Sequence, residues 1–318
     1  MIQKTKKLKN NKIIKQHGQS FKSSHWMLTS MFIPAVVLLF IFSYIPMFGI
    51  VVAFKDLKFS KGIWGSAWNG IENFIFLFKS DTLWILLRNT VLYKIVGMIL
   101  GNAIPVIIAL CLERVTKKFA IKFYQSGMFL PYFLSWVVVS YFSAALFDYD
   151  AGMINSILNY FGATKIDFYR EPVYWPFILI AFSVWKGLGY STLIFYGSLL
   201  SIDPALYEAA VIDGCTEWKK IWYISVPHLI QPIIIVLLLG LGGIFHSDFG
   251  LYYFIPNDTG ALLKVTDVLD TYIFRTLRNA TNVGISSAIA FLQSVVGLIF
   301  VILGNTLARM YDEECALF

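Results

Sequence analysis

Charge is what this sequence has least of. Only 14% of its 318 residues are Asp, Glu, Lys or Arg, against about 25% in soluble domains. With 58% hydrophobic residues in apolar runs, that excludes an ordinary soluble domain and points to an integral membrane protein. Cysteine is nearly absent: Cys111, Cys215 and Cys315 have no zinc spacing. The topology derived below puts all three on or near the cytoplasmic side, where thiols stay reduced, so no disulfide is expected. No G-x-x-x-x-G-K-[ST] occurs, so the chain has no P-loop for ATP. H-E-x-x-H and G-x-S-x-G are missing too, and no catalytic or metal-binding residue is nominated. His246-Ser247-Asp248 is compact, but neighbours on one helix point about 100° apart and do not converge as a triad does. No repeat of 20–50 residues is visible.

The charges that are present fix the orientation. Lys4, Lys6, Lys7, Lys9, Lys12, Lys15 and Lys22 precede the first apolar run with no acid among them. That is a positive-inside signal, and it accounts for the +7 net charge without nucleic acid. Residues 1–26 are read as a basic cytoplasmic segment, with 21–26 at the membrane interface and no cleavable signal peptide. Residues 27–318 are read as one six-helix membrane domain. Its expected spans are 27–54, 83–112, 123–147, 176–200, 229–254 and 284–310. Arg114, Lys117, Lys118 and Lys122 mark an inner loop, and residues 55–82, 148–175 and 255–283 are expected outside. In the last of these, Thr266 or Asp267 is expected to cap a short amphipathic helix running through Leu277. Both termini are expected in the cytoplasm.

The polar stretch 201–227, between the fourth and fifth spans, is the most informative. Asp203 is a good N-cap, Pro204 suits the first helical position, and Gly214 is a natural left-handed stop. Leu206, Ala209, Ala210 and Asp213 are expected on one face. Thr216 is positioned to cap a second short helix. Glu208-Ala209-Ala210, Gly214, Ile224, Val226 and Pro227 together resemble the EAA loop of ABC importer permeases, with Val226 standing where Leu is usual. The resemblance implies a coupling helix that docks on a cytoplasmic ATPase, with Asp203, Glu208, Ala209, Ala210, Asp213, Gly214 and Pro227 as the coupling residues. A DNA-reading helix–turn–helix is disfavoured, because spans on both sides pin the loop to a membrane.

Polar residues inside spans are costly and point to function or to inter-helix bonding. Lys186 lies in the fourth span; His246 and Asp248 lie in the fifth, after Gly240, Gly242 and Gly243, which are expected to kink it. Asn102 and Pro105 interrupt the second span, where Arg88 and Lys94 are expected to snorkel outward. One reading is a carbohydrate cavity lined by Tyr141, Trp185, Lys186, Tyr190, His246, Asp248 and Tyr252. The other is hydrogen bonding between helices plus interfacial aromatic belts. Gly187 and Gly189 are read as close helix packing.

The resemblance extends beyond the loop. Asn89-Thr90, Leu130-Pro131, Ser135-Trp136-Val137-Val138, Asp248-Phe249-Gly250, Thr266-Asp267-Val268 and Asp270-Thr271-Tyr272 are similar to the polysaccharide and oligosaccharide permeases related to the maltose permease subunits. What this implies is an all-α type I ABC importer permease in a bacterial cytoplasmic membrane, among membrane lipid. It implies a second homologous permease subunit, two ATPase subunits holding ATP and Mg, and an extracellular solute-binding protein delivering a sugar or oligosaccharide. The chain itself would carry no cofactor and bind no nucleic acid. Import would proceed by alternating access. A large extra outer domain, present in the larger maltose permease subunit, is absent. A proton-coupled secondary transporter, which would also place Lys186 and Asp248 in the membrane, and a non-transporting scaffold remain open.

Overall fold

In a computed structural model, residues 29–279, 282–311 and 316 are described. The basic segment 1–26, the interfacial stretch 21–26 and Cys315 lie outside the described residues. Contacts divide the chain into two compact units, Met1–Val52 and Ala53–Phe318.

Among the described residues, five helices are long and apolar enough to cross a membrane, and a pair bent by 100° makes a sixth where it is counted as one span. The first, α1 (Thr29–Phe54), has a mean hydropathy of 2.5 and no charged residue before Lys55. After it, β1 (Lys55–Asp56) pairs antiparallel with β2 (Ala67–Trp68), and α2 (Glu72–Lys79) follows. Asn73 pins this region by donating to the carbonyls of Ala53 and Lys55 at 2.8 and 3.1 Å.

Ser80 starts the longest helix, α3 (Asp81–Glu113), by accepting the Thr82 amide at 3.2 Å. From Asn89 to Glu113 the axis rises about 36 Å at 1.5 Å per residue, so α3 ties one face of the domain to the other. Its main packing partner is α7 (Trp175–Leu199), the fourth span.

The third expected span is not one helix. It is α4 (Lys118–Phe133) and α5 (Trp136–Phe147), bent by 100°. Pro131 removes an amide donor near the end of α4, Leu134 turns extended, and the Ser135 hydroxyl accepts the Val138 amide to start a new helix. The fifth expected span is corrected in the same way. Helix α9 (Glu217–Gly242) starts earlier than expected and stops at the glycines, and α10 (Phe249–Phe254) follows a break over 243–248. Here Gly240 and Gly242 serve packing, since a Cβ on either would stand 2.9 Å from Met98 or 3.1 Å from Val301. Between these breaks lie α6 (Met153–Tyr160), α8 (Pro204–Ile212) and, beyond them, α11 (Leu269–Arg278) and α12 (Val283–Tyr311).

The cap of α11 is also corrected. Val268 occupies the N-cap position, and the Thr271 hydroxyl accepts its amide at 3.0 Å. Asp267 is occupied elsewhere: it accepts Arg275 at 2.8 and 3.2 Å and Thr271 at 2.6 Å.

Two apolar clusters brace the ends of the second unit. One joins Trp175, Leu179, Val139, Leu251, Ile255 and Val268; the other joins Ala109, Leu112, Phe195, Leu199 and Leu229. Gly189 lets α7 cross α4 closely, since a Cβ there would fall 2.3 Å from the Met128 carbonyl oxygen. Gly187, by contrast, faces open space.

Candidate functional site

Two places gather the expected functional residues: the loop 201–227 and a cavity beside the break in the fifth span. In the loop, Asp203 accepts the Ala205 amide at 2.9 Å and Pro204 opens α8. The helix ends in a Schellman motif. Gly214 has φ +72°, its amide donates to Val211 O at 3.0 Å, and the Cys215 amide reaches Ala210 O at 2.9 Å. Thr216 then caps the short second helical turn by accepting the Lys219 amide at 3.4 Å. Pro227 follows a π-helical turn over Ile221–Ser225, a widening that spares the clash between a proline ring and the carbonyl four residues back.

The face expected to hold Leu206, Ala209, Ala210 and Asp213 divides. Ala210 turns inward beside Tyr207, while Leu206, Glu208, Ala209 and Asp213 are exposed. Ile212 and Tyr223 are 86% and 78% exposed, so the loop presents apolar surface outward.

Its inward side is anchored by polar residues that the sequence reading passed over. The Tyr207 hydroxyl donates to Glu113 Oε1 at 2.6 Å, and Ser225, fully buried, donates to Oε2 at 3.2 Å. Burial and the bond to Glu113 push the Tyr207 phenol up to about 12. Beside them Glu217 bridges Arg114 and Lys220, the latter at 2.6 Å. Glu113 and Arg114 stand at the end of α3, so the loop is clamped to that helix. The only signal for this was that Glu113 is the lone acid beside a basic inner loop.

The cavity forms where α9 stops. The segment 243–248 is held by Gln293, whose amide donates to Phe245 O at 2.6 Å, and by Asp270, which accepts the Ser247 amide at 2.6 Å. His246 Nδ1 lies 3.6 Å from Asp270. Asp248 caps α10 through the Gly250 amide at 3.1 Å, and its other oxygen accepts the indole N–H of Trp136 at 2.7 Å. Gly250 is needed here, because a Cβ would sit 2.2 Å from the Trp136 ring. The cavity is open on one side and holds about 280 Å³, lined among others by Tyr93, Lys94, Asn102, His246, Asp248 and Tyr252. The rings of Tyr93 and Tyr252 lie 5.4 Å apart.

Three of the seven expected cavity residues, His246, Asp248 and Tyr252, line it; Tyr141, Trp185, Lys186 and Tyr190 do not. Lys186 donates to the carbonyls of Tyr132 and Leu134 at 3.0 and 2.7 Å, and so satisfies backbone freed at the α4–α5 bend. Its ammonium also lies 5.1 Å from the Trp136 ring. Tyr190 stacks on Tyr132 at 5.2 Å, Trp185 meets Phe182 edge-on at 6.2 Å, and Tyr141 lines a separate cavity. Lys94, expected to snorkel, stands on the wall within electrostatic reach of Asp270 and Asp248. Its spacing to Met98 and Asn102, four residues each, was the missed signal of one wall-facing stripe.

The short motifs singled out in sequence meet in space. Asn89 donates to the Asp267 and Lys264 carbonyls at 2.9 and 3.2 Å, and the Leu269 amide reaches Thr90 at 3.1 Å. Ser135-Trp136 meets Asp248-Phe249-Gly250 in the same manner. Residues 96–312 match the family described as "Binding-protein-dependent transport system inner membrane component". The chain belongs to that family. It is 34% identical over 89% of its length, and 88% of the relative's, to the polygalacturonan/rhamnogalacturonan transport system permease protein YteP of Bacillus subtilis (strain 168). It also resembles a chain in the crystal structure of a bacterial ABC transporter involved in import of the acidic polysaccharide alginate. There the TM-score is 0.83 and identity 28%, covering 91% of this chain and 97% of that one. The alginate transporter in complex with its alginate pentasaccharide-bound periplasmic protein gives 0.82 and 28%, over 91% and 96%. This permease is therefore a multi-pass membrane component of a sugar ABC importer.

Proposed function

We propose that the permease passes a sugar or oligosaccharide from an extracellular binding protein to the cytoplasm by alternating access. ATP and Mg would act on two partner ATPase subunits, since the sequence has no P-loop. A second homologous permease subunit would complete the pathway. The observation that carries this reading is a shared helix: α3 holds the coupling loop through Glu113 and walls the cavity with Lys94. A push on exposed Glu208, Ala209 and Asp213 would then be felt at the cavity. Asp203 and Gly214 keep α8 short and rigid enough to transmit it.

In the cavity, Tyr93 and Tyr252 offer ring faces, while Asp248, Asn102, His246 and Lys94 offer hydrogen bonds between them. Relatives that handle galacturonan and alginate support a saccharide cargo, including acidic ones. The test is reconstitution of the chain with its co-purified partners in lipid. Saccharide-stimulated ATP hydrolysis and uptake that persists when the proton gradient is collapsed are expected. Uptake that follows the proton gradient without ATP would favour a secondary transporter instead. A complex that never hydrolyses ATP in response to saccharide would leave only a scaffold.

A further inference from the structure

The second cavity has no role in the account above. It encloses about 360 Å³ between the far ends of α5 and α10, lined by Tyr141, Asp148, Tyr169, Asn257 and Thr259 among others. That size falls in the range of small-ligand pockets, roughly 300–1,000 Å³. Its place in the fold follows from named contacts. Asp258, next to Asn257, accepts Arg275 Nε at 3.2 Å, and Arg275 grips Asp267, whose carbonyl holds Asn89. Asn89 is at the opposite end of α3 from Glu113, so this cavity opens on the face away from the coupling loop.

The wall has the marks of a built site. Asn257 and Asp258 both adopt left-handed backbone, with φ 55° and 46°, though neither is glycine. Asn and Asp tolerate this region better than other residues; the turn is closed by the Asp258 amide on Tyr253 O at 3.2 Å, and Arg275 holds the Asp258 carboxylate. Asp148 Oδ1 is fixed by the amides of Asp150 and Ala151, each at 2.9 Å, while Oδ2 makes no hydrogen bond among the described residues. The same amide bonds, and to a smaller extent the charge of Lys165, hold its carboxyl below the usual carboxylate range; Lys165 does not line the cavity, whose wall therefore carries the carboxylate at neutral pH. Tyr141 is 72% exposed and its ring stacks on no other ring among the described residues. No lining residue is a cation, whereas the inner cavity contains Lys94 and His246.

We propose that this cavity is an outer subsite for one uncharged pyranose ring of the transported saccharide. The ring would lie on Tyr141, with hydroxyls donated to Asp148 Oδ2 and shared with Asn257 and Thr259. Helix α10 divides the two cavities, with Tyr252 lining the inner and Phe254 the outer. A saccharide crossing from one to the other meets an anionic wall first and a cationic group second. The outer position therefore selects against a uronic acid, and the inner one accepts it. This assignment rests on the transport reading above.

The test is saturation-transfer NMR on the assembled transporter in lipid nanodiscs without its binding protein. The probes are neutral methyl pyranosides of gluco, galacto, manno and rhamno configuration, with galacturonic acid as the charged counterpart. At least one neutral pyranoside is expected to receive saturation, and galacturonic acid to receive it only from the inner cavity, so that Lys94→Met removes most of its signal. Tyr141→Ala is expected to weaken neutral binding roughly tenfold, and Asp148→Asn to admit galacturonic acid while the neutral probe still binds. Tyr141 is exposed, so its loss is not expected to unfold the chain, and gel filtration checks this. The subsite is overturned by a galacturonic acid signal that survives Lys94→Met while Asp148 is intact, by indifference of the neutral signal to Tyr141→Ala, by loss of the neutral signal in Lys94→Met instead, or by no neutral signal at all. Sugar-stimulated ATP hydrolysis on the same preparation separates the two claims. If it persists while the probes fail, only the subsite falls; if it fails while the probes bind as expected, only transport falls.

Discussion

Tyr207 and Glu113 join the loop 201–227 to the end of α3: the phenol donates to the carboxylate at 2.6 Å. Ser225 donates to the other carboxylate oxygen at 3.2 Å, so one side chain of α3 holds both ends of the loop. A loop fixed this way moves with α3 rather than sliding over it. Tyr207→Phe deletes the stronger strap and keeps the ring. Hydrogen bonds to charged groups contribute about 1.5–3 kcal/mol. The expected outcome is normal assembly and basal ATP hydrolysis, with saccharide-stimulated hydrolysis and uptake reduced severalfold. Glu113→Gln, which still accepts from Tyr207, should retain more activity than Glu113→Ala. Equal losses in the Gln and Ala variants would remove the clamp from the mechanism.

Glu208 tests the opposite side of the same helix. It is exposed and makes no ion pair among the described residues, so its charge is available to a partner. Glu208→Lys is expected to leave membrane insertion intact and to abolish uptake, because a reversed charge at an interface costs specificity and affinity. Gly214→Pro should do the same by a different route, since proline cannot adopt the +72° that closes α8. The measurements are membrane expression, co-purification of the ATPase and uptake. Full uptake by both variants contradicts the assignment of this loop.

The local structure of the loop 201–227 was legible because its chemistry is local. A cap, a proline and a stop glycine sit within a few residues of one another, and each acts on its own backbone. The breaks in the third and fifth spans were half legible. Pro131, Gly240, Gly242 and Gly243 were in view, but ending a helix also required Ser135 and Asp248 to cap a new one and Trp136 to occupy the space beside Gly250. The cavity was the least legible part, because it depends on which side chains are already engaged. Lys186 and Lys94 look alike in sequence; one is consumed by carbonyls 52 and 54 residues away, and the other stands on the cavity wall.

Topology has its own check. Cysteines placed at Lys61, Thr164 and Asn257 are expected to react with an impermeant reagent added outside intact cells. Native Cys215, two residues from Asp213 in the loop 201–227, is expected to stay unlabelled until the membrane is permeabilised. Labelling of Cys215 in intact cells would invert the orientation deduced from the lysine-rich start.

Lys186 and Asp248 carry opposite charges on neighbouring elements, and a pair of this kind invites the idea that each neutralises the other. Their partners say otherwise. Lys186 donates to Tyr132 O and Leu134 O, Asp248 accepts the Trp136 indole, and Trp136 stands between them with its ring 5.1 Å from the ammonium. Removing one therefore does not strand the other. Lys186→Met leaves two backbone carbonyls without a donor at a bend inside a membrane, and each unsatisfied group there costs several kcal/mol. Asp248→Asn has one acceptor oxygen for two donors, so it keeps either the Gly250 amide bond or the Trp136 indole bond and loses the other, which costs about 1 kcal/mol, less than the loss in Lys186→Met. In a double-mutant cycle, Lys186→Met should lower expression and thermal stability, and Asp248→Asn should mainly lower saccharide-stimulated ATP hydrolysis. The double variant should show both losses, with no recovery of either. Restored stability in the double variant would mean that the two charges do pair, and Asp248 would then leave the proposed saccharide site.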